Sequence, residues 1–174
     1  METKESPTLD QTANEPISRT QLLEHWQGHR GLTRKVIETF PEEQFYTFSI
    51  GGMRPFAMLT MEIIDLARGI RGIATGDWEP KGQAETFHPT APETKQEVLA
   101  LWDEVTSEIE AFWPQISDTR FQETDKAFGM YEGTIYSLLL YFIDNEIHHR
   151  GQGYVYLRAL GIEPPAFWDR GQQY

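Results

Sequence analysis

The sequence predicts an all-α fold, a four-helix bundle. Three observations carry that expectation. Four stretches place apolar residues at intervals of three and four. No stretch of the 174 residues sustains the strict alternation of a half-buried strand. The connections between the four are broken by Gly and Pro and differ in length, as bundle connections can.

Residues 1–17, polar and carrying Pro7 and Pro16, read as a flexible N-terminal tail, with residues 18–174 as a single domain. Ser18 followed by Gln21 has the pattern of a capping box. It opens a first helix from about Arg19 to Phe40, which Pro41 closes. The next segment, with Gly51, Gly52 and Pro55, reads as a connection. Pro55 suits the first turn of a second helix, whose stripe is Leu59, Ile63, Leu66, Ile70 and Ile73. That helix ends near "ATGDWEP", and residues 81–91 read as loop. Thr90 and Glu93 form a second capping-box pattern around Pro92. The third helix then carries Val98, Leu101, Val105, Ile109 and Phe112, until Pro114 stops it. "QISDTRFQETDKAFGMYEGT" reads as a long polar connection of the kind that covers a site. The last helix runs from Tyr131 or Glu132 to Leu160, with Gly161 as its cap. The prolines of "IEPPAFW" forbid more helix beyond it.

Composition narrows the function. Lys+Arg total 15 against 27 Asp+Glu, a formal net charge of -12, which argues against a nucleic-acid partner. There is no cysteine, so a thiolate metal site, a disulfide or a cysteine nucleophile is excluded. The N-terminus shows no signal-peptide pattern. "IYSLLLYFI" falls well short of the roughly 20 apolar residues of a membrane span. A cytoplasmic protein is expected.

The informative residues are polar groups on apolar stripes. On the last helix, Leu138, Phe142, Asn145, His149, Gln152, Tyr156 and Leu160 share one face. Asn145 and His149, one turn apart, therefore lie among core-facing residues at the spacing by which two groups reach one metal ion. His148 lies about 100° further round. On the second helix, Glu62 lies beside the apolar stripe, where a carboxylate is costly unless paired or coordinated. The first helix adds His25 and His29, again one turn apart. Bland readings stand beside these. A core histidine is commonly just hydrogen-bonded structure, and Glu62 has Arg150 or Arg54 as a partner in an ion pair. Glu146 and Arg150, four apart, read as a surface pair, and Asp144 with His148 as a neighbour contact. The tyrosines of the last helix read as packing.

"NEIHHRGQGYVYLRALGIEPPAFW" resembles the C-terminal helix of the DinB/YfiT-like family, whose pattern there is His-x-x-x-His-Arg-Gly-Gln. This chain reads Asn145-Glu-Ile-His-His149-Arg150-Gly151-Gln152. "RPFAMLTMEII" resembles the family's second helix, where a His follows an Arg-Ser-Phe-like opening and Glu62 stands here. The resemblance covers about residues 18–170 and implies the DinB/YfiT-like four-helix fold. In the family three histidines hold a divalent ion with positions open for water or substrate. Carried across, the metal set becomes Glu62, Asn145 and His149, with one histidine retained. Such a set binds nickel or zinc less tightly than three histidines and leans towards harder ions such as manganese.

Two classes of function follow from the resemblance. The first is a metal-dependent hydrolase or small-molecule thiol S-transferase, in which the ion activates water or a low-molecular-weight thiol and His29 or His148 serves as general base. The second is a non-catalytic small-ligand-binding or stress-response module with a metal-free site. In both, the partner is a small molecule, and a homodimer is expected. Gly151 is expected to let a neighbouring helix of the bundle come close.

Overall fold

A computed structural model describes residues 17–78 and 90–171. The expected tail up to residue 16 and the loop over 81–89 lie outside the described residues. Helix α1 (Arg19–Thr39) opens on the Ser18–Gln21 capping box, with both reciprocal hydrogen bonds present. Pro41 ends it and caps a short helix, α2 (Glu42–Thr47), within the segment read as a connection. Two acidic residues in its first turn favour this helix, and Phe45 pins it in the core.

The second expected helix is divided. α3 (Phe56–Arg68) is followed by α4 (Ile70–Thr75), with Gly69 in a tight turn between them. A Cβ at Gly69 would lie 2.8 Å from the Phe142 ring, so glycine here admits a buried aromatic from the last helix. α5 (Lys95–Phe112) is capped by Thr94 and Glu97, four residues beyond the expected Thr90 and Glu93. The same motif occurs twice in sequence, and tertiary contacts select the later copy. The Lys95 backbone N–H donates to Glu42 Oε1 at 2.7 Å, and its ammonium donates to the Glu38 and Phe40 carbonyls at the end of α1.

The long polar connection contains a two-stranded antiparallel hairpin, β1 (Thr124–Ala127) and β2 (Tyr131–Thr134), with Ala127 opposite Tyr131. Four residues per strand are too few for alternation to register. At its turn Phe128 has φ 54° and Gly129 φ 73°. The fully buried Phe128 ring, 5.4 Å from that of Trp78, holds the unusual backbone in place. The last helix, α6 (Ile135–Ala159), therefore starts later than Tyr131, with Thr134 as its cap. Gly161, at φ 75°, terminates it as expected.

α1 and α3 each pack against both α5 and α6, which makes an all-α four-helix arrangement with two short helices and a hairpin added. Phe40 stacks on Phe56 at 4.7 Å within its core. The close glycine of α6 is not Gly151, whose Cβ would meet nothing within 4 Å, but Gly153, whose Cβ would lie 2.5 Å from the Phe56 ring. Gly151 points outward and Gly153 inward, a difference of two residues on a helix of 3.6 per turn. Gly153→Ala is expected to lower stability by about 1–2 kcal/mol, overpacking outweighing the gain in helix propensity. Urea unfolding measures it, and an unchanged midpoint would show that Phe56 repacks freely.

Candidate functional site

Helices α3 and α6 bring together the three groups singled out as metal ligands. Glu62 projects from α3 between the buried Leu59 and Leu66, and Asn145 and His149 project from α6 one turn apart. All three meet at one atom. Glu62 Oε1 accepts from Asn145 Nδ2 at 3.0 Å and faces His149 Nε2 at 2.9 Å. The other oxygen, Oε2, accepts from Arg54 Nη2 at 2.5 Å. Arg54 lies just before α3, and the Tyr156 hydroxyl fixes its backbone by donating to the Arg54 carbonyl at 2.9 Å. Of the two ion-pair partners left open for Glu62, it takes Arg54.

The electrostatics follow from these contacts. The hydrogen bond with His149 lowers the Glu62 carboxyl most, against the upward push of burial. Those from Arg54 and Asn145 lower it further, to about 2. Glu62 is therefore an anion enclosed by donors. The far nitrogen of His149, Nδ1, faces Gln152 Oε1 at 3.0 Å, while Gln152 Nε2 turns to His148 at 3.3 Å. Both ring nitrogens of His149 thus lie within hydrogen-bond distance of a side-chain oxygen, which fixes the plane of the ring.

The donor chemistry can be tested against a divalent ion. A metal needs a lone pair on His149 Nε2, an oxygen from Asn145 and a free carboxylate. Instead the imidazole nitrogen faces Glu62 as a hydrogen-bond partner, Asn145 presents its amide nitrogen, and Arg54 places a fixed cation on the carboxylate. As arranged, the set fits an internal ion pair and not a metal centre. Among the described residues no group of three His, Asp or Glu side chains is placed to hold a metal.

The two residues named as general bases lie elsewhere. His148 is exposed, on the outer side of α6. His29 is buried in a second polar network between α1 and α6. Its Nδ1 accepts from Arg150 Nη2 at 2.9 Å, and its Nε2 lies 3.2 Å from His25 Nε2 and 3.3 Å from Arg170 Nη1. None of these bonds reaches Glu62, Asn145 or His149. Burial, followed by the charge of Arg150, pushes His29 down to about 3.

The same network corrects the reading of Glu146 and Arg150 as a surface pair. Glu146 is 0% exposed and Arg150 6%. The Thr33 hydroxyl donates to Glu146 at 2.7 Å and accepts from Arg150 at 3.1 Å, bridging the two. Arg30, also 0% exposed, sits 3.8 Å from Glu146, with its guanidinium 3.4 Å from the centre of the Trp102 ring. It donates to Thr106 Oγ1 and to the Trp102 carbonyl. Sequence reasoning passed over Arg30, although its spacing marks it. Trp26, Arg30, Thr33 and Ile37 form one stripe at intervals of four, three and four, with apolar residues at both ends.

A surface groove of about 280 Å³, lined by Leu22, Phe121 and Tyr136 with Arg19 and Asp118 beside them, includes none of the Glu62 set. No helix among the described residues is long and apolar enough to cross a membrane.

Comparison with known proteins agrees with the architecture. A DinB-like protein from Bacillus subtilis aligns with a TM-score of 0.66 and 22% identity, covering 86% of this chain and 97% of its own. A DinB-like protein from Bacillus cereus aligns with the same TM-score and coverages at 19% identity. Identities this low speak for the fold alone. No curated protein matches the chain. The sequence profile of the DinB family matches residues 9–173, and with that match the chain belongs to the DinB family.

Proposed function

We propose that this chain is a non-catalytic member of its family, a small-ligand-binding or stress-response module whose polar centre works without a metal. The observation that carries the reading is the occupancy of Glu62. Three donors, Arg54, Asn145 and His149, already engage its two oxygens. Arg54 thereby supplies the positive charge that an ion would otherwise bring to the carboxylate. The low basicity of the buried His29 and the outward position of His148 leave neither well placed as a base for chemistry at Glu62.

One observation favours the other class. The Asn145 amide oxygen is buried and has no hydrogen-bond partner. A turned amide would offer that oxygen as a ligand, and the Gln152 contact on Nδ1 would orient His149 Nε2 towards an ion. Glu62, Asn145 and His149 would then hold nickel, zinc or manganese in a hydrolase or a transferase acting on a low-molecular-weight thiol.

Elemental analysis of untagged protein, after incubation with nickel, zinc and manganese, separates the two. The wild type is expected to stay substoichiometric in every metal. Glu62→His/Asn145→His, which restores the family's three histidines, is expected to take up close to one nickel or zinc per chain. Stoichiometric metal in the wild type, lost in both Glu62→Ala and His149→Ala, would overturn the proposal and favour the enzyme.

A further inference from the structure

Arg170 lies in a tight turn after α6, where the Asp169 backbone N–H donates to the Ala166 carbonyl and that of Arg170 to the Trp168 carbonyl, each at 3.0 Å. Lys35 of α1 holds this turn against the bundle through Asp169, at 2.8 Å. The Arg170 side chain thereby meets the His29 network, its Nη1 lying 3.3 Å from His29 Nε2. A neutral imidazole has one lone pair in its plane, and two arginines face this ring. An arginine only donates. The shorter contact, Arg150 Nη2 to His29 Nδ1 at 2.9 Å, therefore takes the lone pair and leaves the proton on Nε2. His29 Nε2 then donates to His25 Nε2 at 3.2 Å. Arg170 Nη1 is left facing an N–H group, to which it cannot donate.

The rest of the guanidinium is no better supplied. Its Nε is buried without a hydrogen-bond partner, and Nη2, on the same edge, makes no hydrogen bond among the described residues. One turn beyond Arg150 on α6, the Tyr154 hydroxyl is also buried and unpartnered. Burial raises Tyr154, and the charges of Arg150 and of Asp169, next to Arg170, both reach it. The carboxylates of this region are engaged elsewhere. Glu146 lies between Arg30 and Arg150, and Asp169 is held by Lys35. Burial, then the charges of Arg170 and Arg150, hold His25 below its ordinary value. The region is therefore positive, in a chain whose net charge is -12. Water can accept from these groups but cancels none of their charge. We propose that this is an oxyanion subsite, in which the Nε and Nη2 edge of Arg170 takes the two oxygens of a carboxylate or phosphate group of a small ligand. The Tyr154 hydroxyl is its further donor. The subsite lies between α1, α6 and the turn that follows α6, and shares no hydrogen bond with Glu62, Asn145 or His149. It does not depend on whether that centre holds a metal.

A few charge-assisted hydrogen bonds hold a bare ion with a dissociation constant on the order of millimolar. The test is an NMR titration of the isotope-labelled full chain with inorganic phosphate and, separately, with acetate, at an ionic strength held constant with sodium chloride. The Arg170 Nε–H resonance and the backbone amides of residues 166–171 are expected to shift and saturate with at least one of the two. The tighter ion identifies the head group as phosphate or carboxylate. Arg170→Gln is expected to raise the dissociation constant about tenfold or more, and Tyr154→Phe about threefold, each with a thermal melt close to wild type in the absence of the ion. Arg19→Gln removes the same charge at the far end of α1 and is expected to leave the constant unchanged. Shifts that rise without saturating, or binding weakened equally by Arg170→Gln and Arg19→Gln, would mean an adventitious ion only and overturn the proposal. Saturation that leaves the Arg170 Nε–H resonance unmoved would overturn it as well.

Discussion

Glu146→Leu is expected to destabilise the protein by about 3–5 kcal/mol, because it leaves Arg30 as an uncompensated charge in the core. Arg30 has no solvent exposure and its pKa is lowered to about 10 by burial, with Glu146 the leading influence that restores it. Arg150 loses its carboxylate as well, although the Thr33 hydroxyl and the His29 carbonyl still accept from it. Leucine fills most of the volume of glutamate, so the loss is electrostatic more than steric. The double variant Arg30→Met/Glu146→Leu is therefore expected to recover at least half of it, since removing both partners leaves no buried charge between them. Equilibrium urea unfolding of the wild type, the single and the double variants gives the comparison. A single variant within about 1 kcal/mol of wild type would mean that Arg30 finds solvent by relaxation. A double variant worse than the single would mean that Arg30 contributes chiefly by packing on Trp102.

Acid is expected to weaken the fold from near pH 6.5 downward, with His29 the largest contributor. His29 is depressed from 6.5 to about 3 in the folded protein, so below pH 6.5 the unfolded chain binds a proton that the folded chain refuses. Stability falls through that window, with a ceiling of about 5 kcal/mol by pH 3 and roughly half of that after local relaxation. Glu62 acts in the same direction lower down. Its stabilisation is present above pH 4.5 and is lost as pH falls towards 2. Asp65 acts in the opposite direction. Burial lifts its carboxyl from 3.8 to about 6, against Arg68 and helped by the Glu62 charge, and its Oδ2 has no hydrogen-bond partner. Its contribution is complete below 3.8 and is lost as pH rises through 6. Glu146, also raised by burial, shares that sign. His29→Asn, whose amide oxygen can stand where Nδ1 accepts from Arg150, should flatten the decline between pH 6.5 and 3. Asp65→Asn should steepen it. Stability curves at a series of pH values read both, and shifts of the same sign in the two variants would show that burial does not govern these groups.

Much of this fold is local, and was legible for that reason. The Ser18 capping box, the Pro41 stop, the stripe through α3 and the Gly161 terminator depend on residues within a turn or two of one another, and each lies where the spacing puts it. The stripe of α6 likewise determined that Asn145 and His149 share a face one turn apart, and that Glu62 sits beside an apolar row. The β hairpin escaped because its four-residue strands are too short to show a period, and its turn depends on Phe128 being held by Trp78. The shift of the α5 cap from Thr90 to Thr94 escaped because Glu42 and the end of α1 select it from a distance.

What the sequence by itself determined is which polar groups face inward, since a helical period fixes direction about the axis. What only the tertiary structure decided is which groups they meet and in what surroundings. Spacing placed Glu62 near the core but left Arg54 and Arg150 equally available, and the approach of the segment before α3 gave it Arg54. Spacing also placed Glu146 four residues before Arg150, a pattern common on helix surfaces. The packing of α1 onto α6 buried both and added Arg30, Thr33 and His29 to them. A charge that water would solvate at the surface must find its partners inside the protein once that packing closes. Those partners come from segments far apart in the chain, where periodicity carries no information.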